Sequence, residues 1–156
     1  AEAERLAREM SASLGIPVEA VEEAERAVAE SDLVVTATPA TEPILEAAWL
    51  RPGVHVTAMG SDSEHKQELE PAVLRRADVV VSDRRSQGLA IGELRSAREA
   101  GVDVSEERVA ELGEVLAGTR PGRTSEDQIT VCDLTGTGVQ DTAIARLAAA
   151  RAKASG

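Results

Sequence analysis

The feature that most constrains this chain is the return, four times, of a short β-branched run after a helical stretch: "LVVTAT" at 33–38, "HVTAM" at 55–59, "VVVS" at 79–82 and "ITVCDL" at 129–134. A strand that returns only after a helix runs parallel to the one before it, so the alternation predicts one parallel sheet with helices on both faces. "VVVS" has no polar alternation, as expected of a strand covered on both sides. Residues 1–14 place Leu6, Met10 and Leu14 on one helical face before Gly15. Further helical patterns fall at 21–32, 68–78, 89–100, 106–117 and 139–155, and "IPVEA" at 16–20 is a short strand candidate. Pro43 and the pair Pro52-Gly53 bracket one or two helical turns that carry Trp49.

The core has to be built from small side chains, because 42% of residues are apolar but only 1% are aromatic. Against 17 Lys and Arg stand 28 Asp and Glu, a net charge of -11, which argues against nucleic acid or an anionic membrane surface as partner. The single cysteine, Cys132, rules out an internal disulfide framework and suits a reducing cytoplasm. No apolar run approaches the roughly 18 residues that span a bilayer, and "AEAERLAREM" is helical and charged, unlike a signal peptide.

In open parallel sheets ligands bind beyond the carboxyl ends of the strands. Those ends carry one chemistry here: Ala37-Thr38-Pro39, then Gly60-Ser61-Asp62, then Thr135-Gly136-Thr137-Gly138. Small and hydroxylated residues admit a ligand close to the backbone, and Asp62 is the one carboxylate among them. The bland alternative is turn chemistry, with Asp62 as a helix cap and Lys66 solvated. His55 and His65 suit a strand and a loop position, Trp49 suits packing, and Cys132 suits a buried small hydrophobe. The loop "GTRPGRTSEDQ" holds arginines that could meet phosphate or simply face water.

A dinucleotide fold carries G-x-G-x-x-G after its first strand and an acidic or basic selector about 20 residues on. Neither is present, and "TGTGVQD" follows the last strand. Because the pattern opens on a helix with no strand before it, the expectation is a nucleotide fold without its front.

The segments "DLVVTATPATEPIL", "WLRPGVHVTAMGSDSEHKQEL", "LRRADVVVSDR", "ELGEVLAG" and "GRTSEDQITVCDLTGTGVQD" resemble, in this order, the ornithine cyclodeaminase/mu-crystallin family, and within it the cyclodeaminase-type proteins associated with ectoine utilisation. The resemblance implies a Rossmann domain for NAD or NADP. It also implies a second domain that forms a homodimer and half of the substrate site, in members about twice this long. On that frame residues 1–137 answer to a Rossmann domain lacking its first strand and glycine-rich loop, and 138–156 to a helix returning to the dimerisation and substrate domain. The isolated segment would then be catalytically incompetent. The resemblance assigns Asp62 as general acid/base at a small amino acid substrate. It sets Met59 and Gly60 along the nicotinamide, Ala37 and Thr38 at the cofactor, and Lys66 as a cofactor-proximal lysine. Thr135 stands where members commonly have serine, and Ser61 where many have glycine or alanine.

The implied reaction is cyclodeamination: hydride leaves the α-carbon of a diamino acid, ammonia is lost on ring closure, and the hydride returns. Such work asks for a carboxylate whose pKa moves toward the working pH. The rivals are one-way reduction of a cyclic imine, amino acid dehydrogenation, and ligand binding without turnover as in crystallin-type members.

Overall fold

The computed structural model describes residues 2–155. In chain order it contains helix α1 (Glu2–Leu14), helix α2 (Ala24–Ala29), strand β1 (Leu33–Thr36), a 3-10 turn (Ala47–Trp49), strand β2 (His55–Ala58) and helix α3 (Pro71–Arg76). Then come strand β3 (Val79–Ser82), helices α4 (Arg85–Ile91) and α5 (Glu93–Glu99), strand β4 (Val109–Glu111), helix α6 (Leu112–Leu116), strand β5 (Thr130–Asp133) and helix α7 (Gly138–Ser155). All the pairings are parallel, in the order β1-β2-β5-β3-β4. The α/β class inferred from the alternation is therefore the fold observed. The last strand lands in the middle of the sheet, so its polar end lies directly beside that of β2.

The register separates the two faces of the sheet. One face carries Val34, Val56, Val131, Val80 and Val109 into the main core, closed by Val28 of α2, Leu45, Leu50, Val73 and Leu74 of α3, and Leu94 and Ala97 of α5. The other face carries the row Val35, Thr57, Cys132, Val81 and Ala110. Leu112 and Val115 pack on its β4 side only. Toward β1 this face is open, with Leu33 60% and Val35 55% exposed.

Three expectations need correction. Residues 16–20 are not a strand: none of the described strands lies beside them, and Val18 N–H is instead held at 2.8 Å by the Ser11 hydroxyl. The pattern at 106–117 divides into β4 and α6, because Val109 and Ala110 are buried beside β3. Glu111 then starts the helix through a reciprocal capping box with Glu114. The pattern at 89–100 splits at Gly92, where a Cβ would press on the Asp133 carboxylate. The apolar face of α1 does not join the core, since Leu6 and Leu14 are exposed and Ala7 is its buried residue. Helix α7 is likewise open, with Val139, Ile144 and Leu147 exposed.

Candidate functional site

Hydrogen bonds continue the ladder past the strands on both sides of β2: Met59 N–H donates to Thr36 O of β1, and Leu134 N–H, at the end of β5, donates to Ala58 O of β2, both at 2.8 Å. Above them opens a cavity of about 320 Å³ lined by Met59, Asp62, Leu134, Thr135, Gly136 and Gln140. Three of the residues singled out in the sequence, Met59, Asp62 and Thr135, therefore share one cavity. Ala37 is exposed at the end of β1, and Ala37, Thr38, Gly60 and Lys66 are not among the residues that line the cavity.

Asp62 is exposed, and its carboxylate accepts a 2.6 Å bond from Lys66 Nζ. That hydrogen bond and the attraction of the ammonium hold its pKa below the ordinary carboxylate value. The expected upward move of this group is thus not what the chain shows: water reaches it, and a cation sits on it. The loop that presents the pair is closed by Ser61, whose buried hydroxyl donates to Lys66 O at 2.8 Å. Serine at this position serves the loop.

The residue that sequence reasoning missed is Glu68. Its fully buried carboxylate accepts from Thr36 Oγ1 at 2.7 Å, Thr38 N at 2.6 Å, Thr38 Oγ1 at 2.8 Å and Gly60 N at 2.8 Å. One side chain so binds the ends of β1 and β2 together. A second buried carboxylate, Glu93, accepts Glu68 N–H at 2.8 Å and Leu69 N–H at 3.2 Å, and burial raises its pKa. The available signal was Pro71. Proline at the first helical position starts α3 at residue 71 and keeps Glu68 and Leu69 outside the helix, where both are fully buried.

The end of β5 is fixed in the same way. Asp83 accepts Thr135 Oγ1–H at 3.1 Å and Gly136 N–H at 2.8 Å, while Gln87 Nε2 donates to Thr135 Oγ1 at 3.0 Å. The Thr135 hydroxyl is therefore engaged inside the protein. Gly136, at φ +80°, makes the turn that side chains rarely adopt. Beneath it Asp133 is 1% exposed, accepts Leu94 N–H at 3.1 Å and leaves Oδ1 without a partner. Burial first, then the nearby Glu93 and Asp83 carboxylates, push its pKa up to about 7.

The remaining candidates take structural places. His55 bridges Thr130 and Thr57, and burial lowers its pKa. His65 is an exposed loop residue and Trp49 packs against the core. Arg120 and Arg123 staple their loop to the carbonyls of Glu106, Glu107, Val54 and Glu126. A second polar cavity of about 400 Å³ lies beside β4, but its Arg84 and Arg85 are paired with Glu111 and Glu106. Among the described residues no group of His, Cys, Asp and Glu could hold a metal ion, and no helix is long and apolar enough to cross a membrane.

A parallel sheet whose adjacent β2 and β5 ends make a small cavity, with a carboxylate and an ammonium at its rim, defines the class of Rossmann-like α/β proteins. Within that class the chain belongs to the ornithine cyclodeaminase/mu-crystallin family, whose model matches residues 1–156. It is 52% identical to an uncharacterized cyclodeaminase of Sinorhizobium fredii over 97% of this chain and 46% of that protein. The iminosuccinate reductase of Paracoccus denitrificans, solved with NAD+, matches at 41% identity with TM-score 0.81, over 89% of this chain and 42% of that one. The Thermococcus litoralis Delta(1)-pyrroline-2-carboxylate reductase, solved with NADH and L-proline, matches at 32% identity with TM-score 0.86, over 92% of this chain and 45% of that one. The chain thus spans less than half the length of the relatives it matches.

Proposed function

We propose that the cavity between the ends of β2 and β5 is the nicotinamide side of an NAD(P)-dependent site for a small amino acid, and that the reaction is cyclodeamination of a diamino acid. The observation that carries the reading is the place of Asp62 on the rim of a cavity otherwise walled by Met59, Leu134, Thr135, Gly136 and Gln140. A flat, partly apolar ring fits such walls, and the open space at Gly136 leaves room for it. The glycine-rich loop for a diphosphate is not among these residues, so the fit concerns the nicotinamide end alone. When bound, the dinucleotide would supply a hydride acceptor and donor.

What this chain supplies is proton handling and shape. Asp62, ionised and paired with Lys66, is an acceptor for the proton of a substrate amine or of a water. Covering the cavity would remove water, which raises the affinity of Asp62 for that proton, while the Lys66 ammonium opposes the rise. Met59 and Leu134 give the ring an apolar wall, and Thr38 and Gly60 set the backbone behind it. On the family frame, residues 1–137 belong to the cofactor domain and 138–156 to the dimerising, substrate-binding part of a homodimer. The exposed apolar side chains of α7 support that placement. A role in ectoine degradation rests on the sequence resemblance alone.

The second reading, one-way reduction of a cyclic imine, is favoured by the Delta(1)-pyrroline-2-carboxylate reductase among the similar proteins. Following the reduced-cofactor absorbance while the full-length protein turns over candidate diamino acids separates the two. Product with no net change in absorbance is expected; stoichiometric oxidation or reduction of cofactor refutes the lyase. Asp62→Asn is expected to abolish turnover and keep cofactor binding. Retained turnover would remove Asp62 from the chemistry.

A further inference from the structure

We propose that Glu68 is the positioning residue of the nicotinamide wall: its carboxylate fixes the end of β2, from which Met59 and Asp62 enter the cavity, against the neighbouring end of β1. The inference deepens the cofactor reading above and rests on it.

Both strand ends hang on this one side chain. Its first oxygen takes the N–H and hydroxyl of Thr38, at 2.6 and 2.8 Å, and its second takes the Thr36 hydroxyl at 2.7 Å and the Gly60 N–H at 2.8 Å. Four donors saturate the acceptor capacity of a carboxylate, so no lone pair is left to accept from a ligand. The backbone of Glu68 is equally constrained. Its N–H is held by Glu93 at 2.8 Å, and its carbonyl accepts from Ile44 at 2.8 Å and Leu45 at 3.1 Å. No Lys or Arg pairs with Glu68 among the described residues.

A fully buried carboxylate without a cation is an expensive way to join two strands, and apolar side chains would do it at lower cost. What an apolar contact cannot do is fix the direction of the Thr38 and Gly60 backbone. Gly60 completes the fit: a Cβ there would overlap the Thr38 carbonyl oxygen and the Glu68 carboxylate. The two segments are therefore locked against each other through Glu68, and Met59 and Asp62 extend from the locked part into the cavity. A site of this sort gains affinity by having its wall set before the ligand arrives.

The test compares two ligands in the protein at its full length: NADH, and ADP-ribose, which has no nicotinamide. In Glu68→Gln the amide nitrogen faces donors on one side, so the wall loosens. NADH affinity is expected to fall about tenfold or more, as for loss of one charged hydrogen bond. The enhanced fluorescence of bound NADH is expected to fall with it, and ADP-ribose affinity to hold within about twofold. If that variant does not fold, Thr36→Val decides. It removes one donor to Glu68 at a buried place outside the cavity, and is expected to weaken NADH by a few-fold and leave ADP-ribose unchanged. Equal losses for both ligands would mean a general structural role and overturn the proposal, as would unchanged NADH binding. Failure of the unaltered protein to bind NADH or NADPH at all would instead refute the cofactor reading, and the role of Glu68 toward the ring with it.

Discussion

Asp133→Asn is expected to reverse its effect on stability between pH 5 and pH 8. Asp133 ends β5 with its side chain 1% exposed, and one oxygen takes Leu94 N–H at 3.1 Å while the other has no partner. Burial raises its pKa from 3.8 to about 7, so over that interval the folded protein holds a proton that the unfolded chain has released. Stability therefore falls as pH rises from about 4 to about 7 and stays low above it. At about 1.4 kcal/mol per pH unit over roughly three units, the upper bound is roughly 4 kcal/mol. Asparagine keeps the oxygen for Leu94 and never ionises, but sets an amide N–H₂ where the free oxygen was, at a cost of about 1–3 kcal/mol if it finds no acceptor. The variant should thus gain about 1–3 kcal/mol at pH 8 and gain nothing, or lose a little, at pH 5. Urea unfolding followed by circular dichroism and by the fluorescence of Trp49, at steps from pH 5 to pH 8, measures both curves. Shifts at Glu93, Asp62 and Asp103 occur in both proteins, so the difference between the curves isolates Asp133. Parallel curves, or a gain confined to low pH, would refute the argument.

Three further outcomes follow from the packing. Gly60→Ala should cost about 3 kcal/mol or more, because the obstacle includes a backbone carbonyl that cannot turn aside, whereas Gly113→Ala, with nothing within 4 Å in α6, should gain about 0.5–1 kcal/mol; urea midpoints read both. Burial pushes the Cys132 thiol up to about 11, so a disulfide reagent at pH 8 should label the folded chain about a hundredfold more slowly than the unfolded one, measured by the colour of the released thiolate. Lys66→Ala should raise the Asp62 pKa toward its usual value, which titration of its side-chain carboxyl resonance would follow; an unmoved resonance would mean the 2.6 Å pair does not persist in solution.

The parts of the fold that were legible are those whose residues answer to a local period. "HVTAM" and "VVVS" read as strands because β-branched side chains pack on a pleated surface, and they lie in the sheet as expected. β4 was illegible because it is three residues long and only Val109 and Ala110 carry its apolar signal, inside a stretch of glutamates that also suits a helix. "IPVEA" failed for the opposite reason: its local pattern suits a strand, but pairing is a property of the neighbour, and none of the described strands lies beside it. The exposed apolar residues of α1 and α7 show the same limit. Leu6, Met10 and Leu14 mark a face correctly, yet periodicity does not say what covers it.

The candidate site divides along the same line. Asp62 and Lys66 were visible because they stand four apart in one loop, and their pairing is local. Glu68, Glu93, Asp83 and Asp133 were not, since each holds at least one backbone N–H of a distant element, 25 to 53 positions away. In a chain with 28 acidic residues, four that turn inward look like the rest of a solvated surface. None of the four pairs with Lys or Arg among the described residues, so the buried three, Glu68, Glu93 and Asp133, bear a desolvation cost offset only by the donors they collect. Such carboxylates do little for stability that Leu or Val could not do. Their distribution is what carries information: Glu68 is at the ends of β1 and β2, Asp83 and Asp133 are at the ends of β3 and β5, and Glu93 is behind Glu68. The chain thus accepts three costly burials, Glu68, Glu93 and Asp133, with the half-buried Asp83 beside them, all at the end of the sheet where Asp62 stands.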